Sequence, residues 1–121
     1  MNATTRFLYA ISVLTTCAFA QEPGSVGRAG GPLPTITFEN HAVRVVRIVL
    51  AAHEKIPMHE ITPRLVVWTT DGHLKLTFPD GRVVEQKHRA GDTEWLEAQR
   101  HAGENLGDQP IELVAVILKK E

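Results

Sequence analysis

His59 lies in an extended, apolar stretch, IPMHEITPRLVVWTTDG, that ends at a turn. A neutral imidazole can act as a general base, a hydrogen-bond donor or a metal ligand near physiological pH. Side chains alternate between the two faces of a strand, so the next residue on the face of His59 is Ile61, which can do none of these things. The pattern therefore indicates either a metal-binding strand that has lost a ligand or a core strand that never had one.

The elements that position these residues are predicted to be short β-strands. No segment has a helical period of apolar residues, whereas β-branched runs alternate with Gly- and Asp-containing turns. Strands are expected at 36–38, 42–51, 64–69, 74–78, 82–87, 93–96 and 111–118. Arg44 and Arg47 are three residues apart, so the second strand should contain a bulge or be partly covered on both faces. Seven or more short strands are typical of an antiparallel sandwich or barrel.

Two features of these strands allow specific expectations. Leu74, Leu76 and Phe78 alternate cleanly and should share one face. Asp80-Gly81 predicts a tight two-residue hairpin turn, because both residues tolerate a positive φ.

The N-terminal part of the chain is predicted to lie outside the barrel. Residues 1–20 have the pattern of a secretory signal, with Arg6, an apolar run of about fourteen residues and a small-x-small site at residues 18–20. A lipoprotein signal that ends at Cys17 is the alternative. The Gly- and Pro-rich residues 21–34 should form a flexible leader, which leaves residues 35–120 as the domain. We therefore expect an exported protein, periplasmic or secreted, without a membrane span after signal cleavage.

Charge and short motifs exclude several classes of function. The chain has 121 residues and a net charge of -1, and its basic and acidic residues are interspersed. This distribution does not favour a nucleic-acid partner. The sequence also contains no nucleophile elbow, no CxxC pair and no HExxH motif.

The order of strands and turns over residues 36–118 resembles that of small single-domain cupins. The segment HAGENLGDQPIELVAVILK is similar to the end of many short members of that family. The resemblance implies an all-β fold, the cupin-type double-stranded β-helix or jelly-roll barrel.

The first cupin motif, G-x5-H-x-H-x3-E-x6-G, fits this chain without gaps. His53 takes the position of the first glycine, His59 that of the first histidine, and Gly72 that of the last glycine. Ile61 and Leu65 stand at the positions of the second histidine and the glutamate.

The second cupin motif, G-x5-P-x-G-x2-H-x3-N, is matched more loosely. Gly91 opens it, while Glu97 and Gln99 take the positions of its proline and second glycine. His101 comes one residue early but keeps its spacing to Asn105.

In metal-binding cupins, the two histidines and the glutamate of the first motif hold one divalent metal with the histidine of the second. This chain keeps His59 and His101, and it has Ile61 and Leu65 instead of the other two ligands. Because a transition metal usually needs three protein ligands, we expect no bound cofactor. The alternative is a divalent transition metal held by both histidines and Glu97, the best replacement carboxylate.

The predicted function follows from a site that keeps only two of the four metal ligands. Six residues are candidates for a ligand pocket: His59, Ile61, Leu65, Trp68, Trp95 and His101. We expect the protein to bind a small, partly apolar molecule or to have a structural role. The alternative is a metal-dependent cupin enzyme of dioxygenase or isomerase type, so it stays open whether a reaction is catalysed. A homodimer is also expected, because the strands at 42–51 and 111–118 are long and apolar enough to bury a partner face.

Overall fold

The computed structural model describes residues 31–120, which form nine strands and no helix. The strands are β1 (Thr35–Glu39), β2 (Val43–Leu50), β3 (Lys55–Ile61), β4 (Arg64–Trp68), β5 (Gly72–Thr77), β6 (Val83–His88), β7 (Thr93–Leu96), β8 (Gln99–Asn105) and β9 (Ile111–Leu118). Within this part of the chain there is accordingly no helix that could span a membrane. The predicted signal at residues 1–20 and most of the predicted leader lie outside the described residues.

The strands form two antiparallel sheets. One has five strands in the order β1-β2-β9-β4-β7, and the other has four in the order β3-β8-β5-β6. The apolar core is formed by buried side chains on the inner face of the five-stranded sheet, namely Val46, Leu50, Val66, Trp68, Ile111 and Ala115. Ile56 and Leu74 of the four-stranded sheet pack against them. The predicted all-β architecture is confirmed.

Strand β2 does not contain the bulge that its arginines suggested. It pairs with β9 through eight consecutive residue pairs without a register shift. Arg44 is on the same face of β2 as the buried Val46, which is the inner face. It lies at the exposed start of the strand, however, and forms an ion pair with Glu39 at 3.0 Å. Arg47 faces outward and pairs with Glu112. The alternation therefore continues through both arginines.

The loop of the β5–β6 hairpin is longer than predicted. Phe78 N–H donates to Arg82 O and Gly81 N–H donates to Phe78 O. Gly81 has a φ of +88°, whereas Asp80 does not have a positive φ. Pro79 favours a type I turn at this point, and the glycine then closes a longer loop. The predicted two-residue turn is therefore wrong in its length, although the hairpin itself is present.

The start of the described chain contacts the barrel before β1 begins. Gly31 is buried, and a Cβ added to it would lie 3.1 Å from the Cδ atom of Pro57. Its φ of +81° lies in the left-handed region, which favours glycine. At least this residue of the predicted leader therefore packs on β3.

Candidate functional site

A bulge in β3 brings His59 opposite His101. Ile56 pairs with Gly103 and His59 with His101, so β3 has one residue more than β8 between these pairs. Pro57, within the bulge, has no N–H to donate to the sheet. As a result Ile56 and His59, although three residues apart, both line the interior. The two imidazole centroids are 5.1 Å apart, with their planes at 74°.

Both imidazoles are oriented by local hydrogen bonds through Nδ1. His59 Nδ1 lies 2.9 Å from Pro57 O, and His101 Nδ1 lies 3.0 Å from Gln99 Oε1. Since both oxygens accept, each Nδ1 carries a proton and donates. In the neutral rings Nε2 therefore keeps a lone pair that can accept a hydrogen bond from a ligand.

Arg64 is the third polar residue of this group, and the motif-based prediction did not include it. The two residues Thr62 and Pro63 connect β3 in one sheet to β4 in the other, so the alternation of β3 does not continue into β4. Ile61 faces the interior on β3, and Arg64 does so on β4. Arg64 Nε donates to Thr62 O at 2.8 Å, and Nη2 donates to Thr62 Oγ1 at 3.1 Å.

Leu65 and Trp95, two of the predicted pocket residues, lie on the outer face instead. Leu65 pairs with Trp95 across β4 and β7, and the two residues are 36% and 47% exposed. The expectation that Leu65 points inward assumed one unbroken strand through positions 59–67. The crossover between the sheets makes that assumption wrong.

Electrostatic repulsion among the basic side chains changes the pKa of His101. Burial, the nearby His59 and the nearby Arg64 together lower the pKa of His101 from its usual value of 6.5 to about 4. Burial also lowers the pKa of Arg64, but an arginine stays charged in a protein. At neutral pH His101 is therefore neutral, and Arg64 is the fixed positive charge of the group.

These side chains lie in the wall of a cavity of about 110 Å³ between the two sheets. Most of its lining is apolar and includes Ile48, Leu50, Ile61, Val66, Leu76 and Leu113. Trp68 also lines it and is 1% exposed, so the structure places this predicted aromatic residue in the cavity wall. Trp68 and Ile111 leave no room for a side chain at Gly72, where an added Cβ would lie 2.7 Å from Ile111 Cγ1.

A second polar group lines the same cavity and was also missed from sequence. Glu94 on β7 and Gln86 on β6 both line it, and Gln86 Nε2 donates to Glu94 Oε2 at 3.2 Å. Behind them His88 stacks on Trp68 with ring centroids 4.1 Å apart, and its Nε2 lies 3.8 Å from Glu94 Oε1. The alternation of β6 and β7 could have revealed this group, because both residues share a face with apolar neighbours.

Glu97, the third predicted metal ligand, does not lie with His59 and His101. Glu97 is exposed, and its Oε2 accepts a hydrogen bond from Trp95 Nε1 at 2.8 Å, on the outside of the barrel. Within residues 31–120 no three His, Cys, Asp or Glu side chains are grouped so that they could hold a metal ion. Two imidazoles beside a guanidinium do not fit a divalent cation, which needs a further donor and is repelled by the arginine.

The fold is similar to that of several solved structures. The sequence matches no protein-family model and no curated protein. A cupin domain from Bordetella pertussis Tohama I is similar over 77% of this chain and 98% of its own, with 24% identity and a TM-score of 0.69. An RmlC-like cupin family protein with a double-stranded β-helix fold from Methanocaldococcus jannaschii is similar over 74% and 82%, with 18% identity and a TM-score of 0.57.

A third similar structure is a conserved protein with a double-stranded β-helix domain from Klebsiella pneumoniae subsp. pneumoniae. The similarity covers 88% of this chain and 100% of that one, with 19% identity and a TM-score of 0.57. Together with the two sheets described above, these likenesses identify the fold. The chain has the fold of a small cupin domain, a double-stranded β-helix.

Proposed function

We propose that this protein binds a small, partly apolar molecule inside the barrel and that it does so without a metal ion. The observation that carries the proposal is a cavity of about 110 Å³ with a largely apolar lining and a few polar groups. Ligand sites in proteins have this composition, in which apolar side chains supply contact area and polar groups set orientation. A cavity of ~150 Å³ can hold benzene, so this smaller cavity suits a ligand whose buried part is at most about one ring or a short branched chain.

The polar groups of the cavity are suited to orienting such a ligand. The Nε2 atoms of His59 and His101 are free of hydrogen bonds to other residues between Gly31 and Lys120. Glu94 and Gln86 lie in the same wall. We also propose that the protein acts outside the cytoplasm, in keeping with the secretory pattern of residues 1–20.

Filling the cavity should abolish binding of a neutral probe of the right size. Ala115 is 1% exposed and lines the cavity, so Ala115→Phe should place a ring where the ligand would lie. Titration calorimetry with benzamide should show binding to the wild-type chain and at least a tenfold loss in the variant.

The matched control is Ala102→Phe, because Ala102 lies on the other face of β8, next to the inward-facing His101 and Gly103. This variant should bind benzamide like the wild type. Overpacking can destabilise a core, so folding of Ala115→Phe is checked by circular dichroism, and Ala115→Leu serves as a milder filling variant. Equal binding by the folded filling variants and the wild type would contradict the proposal.

A second copy of the chain is the partner that we propose for the outer face of the five-stranded sheet. Cross-strand pairing aligns Phe38, Val45, Val116, Leu65 and Trp95 in one row across all five strands. Phe38 and Trp95 are each 47% exposed. Five strands ~4.8 Å apart make this apolar row about 19 Å long, enough for an isologous contact.

The proposed contact uses this face rather than strand edges. Strands β2 and β9 lie inside the sheet, with a neighbouring strand on each side, so neither offers a free edge. Light scattering should show a dimer for the wild-type chain and a monomer for the double variant Leu65→Glu, Trp95→Glu. Val83→Glu, at a 52% exposed position on the other sheet, should stay dimeric. A monomeric wild-type chain would rule out this contact.

A further inference from the structure

Resting on the proposed ligand-binding function, we infer that the ligand carries a single carboxylate, which Arg64 binds at one end of the cavity. The first observation is that the positive charge of Arg64 has no salt-bridge partner among the described residues. Arg64 lines the cavity and forms no salt bridge with any carboxylate in residues 31–120. Arg44 and Arg47, by contrast, each form an ion pair with a glutamate at the surface.

The hydrogen bonds of Arg64 leave the Nη1–Nη2 edge of the guanidinium free to bind a carboxylate. Thr62 accepts from Nε and from one N–H of Nη2. An arginine has five N–H donors, so both donors of Nη1 and the second donor of Nη2 remain. These two nitrogens can donate in parallel to the two oxygens of a carboxylate, and such bidentate pairs are among the strongest hydrogen bonds in proteins. Because Thr62 already holds the side chain, little rotational freedom is lost when an anion binds.

The surroundings of Arg64 favour an anion with an apolar body. Ile61 precedes it on the cavity wall, and Leu96 is its cross-strand partner on β7. An apolar lining raises the strength of a charge pair relative to water. His59 and His101 line the same cavity, and their Nε2 atoms can accept from a hydroxyl group of the ligand.

Glu94 limits the ligand to one carboxylate and determines how the ligand is oriented in the cavity. On β7 it is two residues from Leu96, the residue opposite Arg64, so it lies farther along the cavity wall. Its carboxylate would repel a second acidic group at that depth. The ligand therefore places its acid at Arg64 and its apolar or hydrogen-bond-donating end toward Glu94 and Gln86.

Benzoate and benzamide test this inference, because they have nearly the same shape and differ in charge. We expect the purified full chain to bind benzoate at least about tenfold more tightly than benzamide in calorimetric titrations at neutral pH and low salt. Arg64→Gln should remove the preference, so that this variant binds benzoate no more tightly than benzamide. Arg64→Lys should keep part of the preference, because it keeps the charge and loses the paired donors.

Arg100→Gln is the matched control, since it removes the same charge at an exposed position on β8 whose cross-strand partner is Glu60. It should keep the full preference for benzoate. If benzamide binds as tightly as benzoate, or if Arg64→Gln keeps the preference, the carboxylate inference is wrong while the proposed cavity function stands. If neither probe binds, the proposed function itself is wrong and the inference fails with it.

Discussion

Asn105→Ala is expected to lower the free energy of unfolding by about 3 to 5 kcal/mol. Asn105 is 1% exposed, and its side chain joins the end of β2 to the loop before β9. Nδ2 lies 3.2, 3.0 and 2.8 Å from the carbonyl oxygens of Leu50, Ala51 and Gln109, and Oδ1 accepts from the N–H of Gly107 at 2.9 Å. Alanine would remove these hydrogen bonds from buried and part-buried backbone groups, and a buried group left without a partner costs ~1 to 3 kcal/mol.

The large expected loss of stability comes from the burial of Asn105 and not from the asparagine side chain as such. Asn40 makes a similar pair of contacts, accepting from the N–H groups of Ala42 and Val43 at 2.8 and 2.9 Å, but it is exposed. Water can replace those contacts, so Asn40→Ala should cost only about 1 kcal/mol. Urea unfolding of the two variants measures the difference. A loss below about 1 kcal/mol for Asn105→Ala would show that the buried network is not needed for stability.

Acidification from pH 7 to pH 5 is expected to lower the free energy of unfolding by about 2 kcal/mol through His101 alone. The pKa of His101 is lowered to about 4 in the folded chain, first by burial and then by His59 and Arg64. In the unfolded chain it returns to the ordinary value of 6.5. Between these values the unfolded state binds more protons, so stability is present above pH 6.5 and is lost as the pH falls toward 4.

Urea unfolding of the wild type and of His101→Gln at both pH values isolates this contribution. The variant has no imidazole at position 101, so its stability should change less between pH 7 and pH 5. His41→Gln is the matched control, because it removes an exposed imidazole between β1 and β2 that forms none of the salt bridges in residues 31–120. It should keep the wild-type dependence on pH. The same dependence in His101→Gln as in the wild type would contradict the assigned pKa.

Most of the fold was predictable because alternation and turn residues are local signals. Strands β7 and β9 have the predicted bounds, and Leu74 and Leu76 share one face as predicted, which is the face toward the cavity. Strand β8 was not predicted as a strand, since its inward-facing residues are His101, Gly103 and Asn105 rather than large apolar ones. Their burial depends on tertiary packing, which a pattern of apolar residues does not show.

The candidate site was predictable only in part, because two local irregularities set which side chains face inward. The bulge at Pro57 brings His59 opposite His101. The crossover at Thr62 and Pro63 turns Arg64 inward and Leu65 outward. A motif frame counts residues and assumes constant alternation, so it pointed to the two histidines that line the cavity and missed the arginine.

The left-handed backbone conformation of His53 was not predicted from the sequence. His53 stands at the position of a family glycine, and its φ is +62°. Few non-glycine residues adopt this left-handed conformation. Its Nε2 lies 2.8 Å from Asp108 Oδ1, which links this turn to the loop before β9.

The central claim is that the barrel cavity is the ligand site, and amide chemical shifts during a titration with benzamide test it most directly. We predict saturable shifts of the ¹H–¹⁵N signals of His101, Gly103 and Ala115, whose residues line the cavity. The signals of Val83 and Leu118, which are exposed on other faces, should stay unchanged. Shifts confined to the outer faces, or no saturable shift up to the solubility limit of benzamide, would contradict the claim.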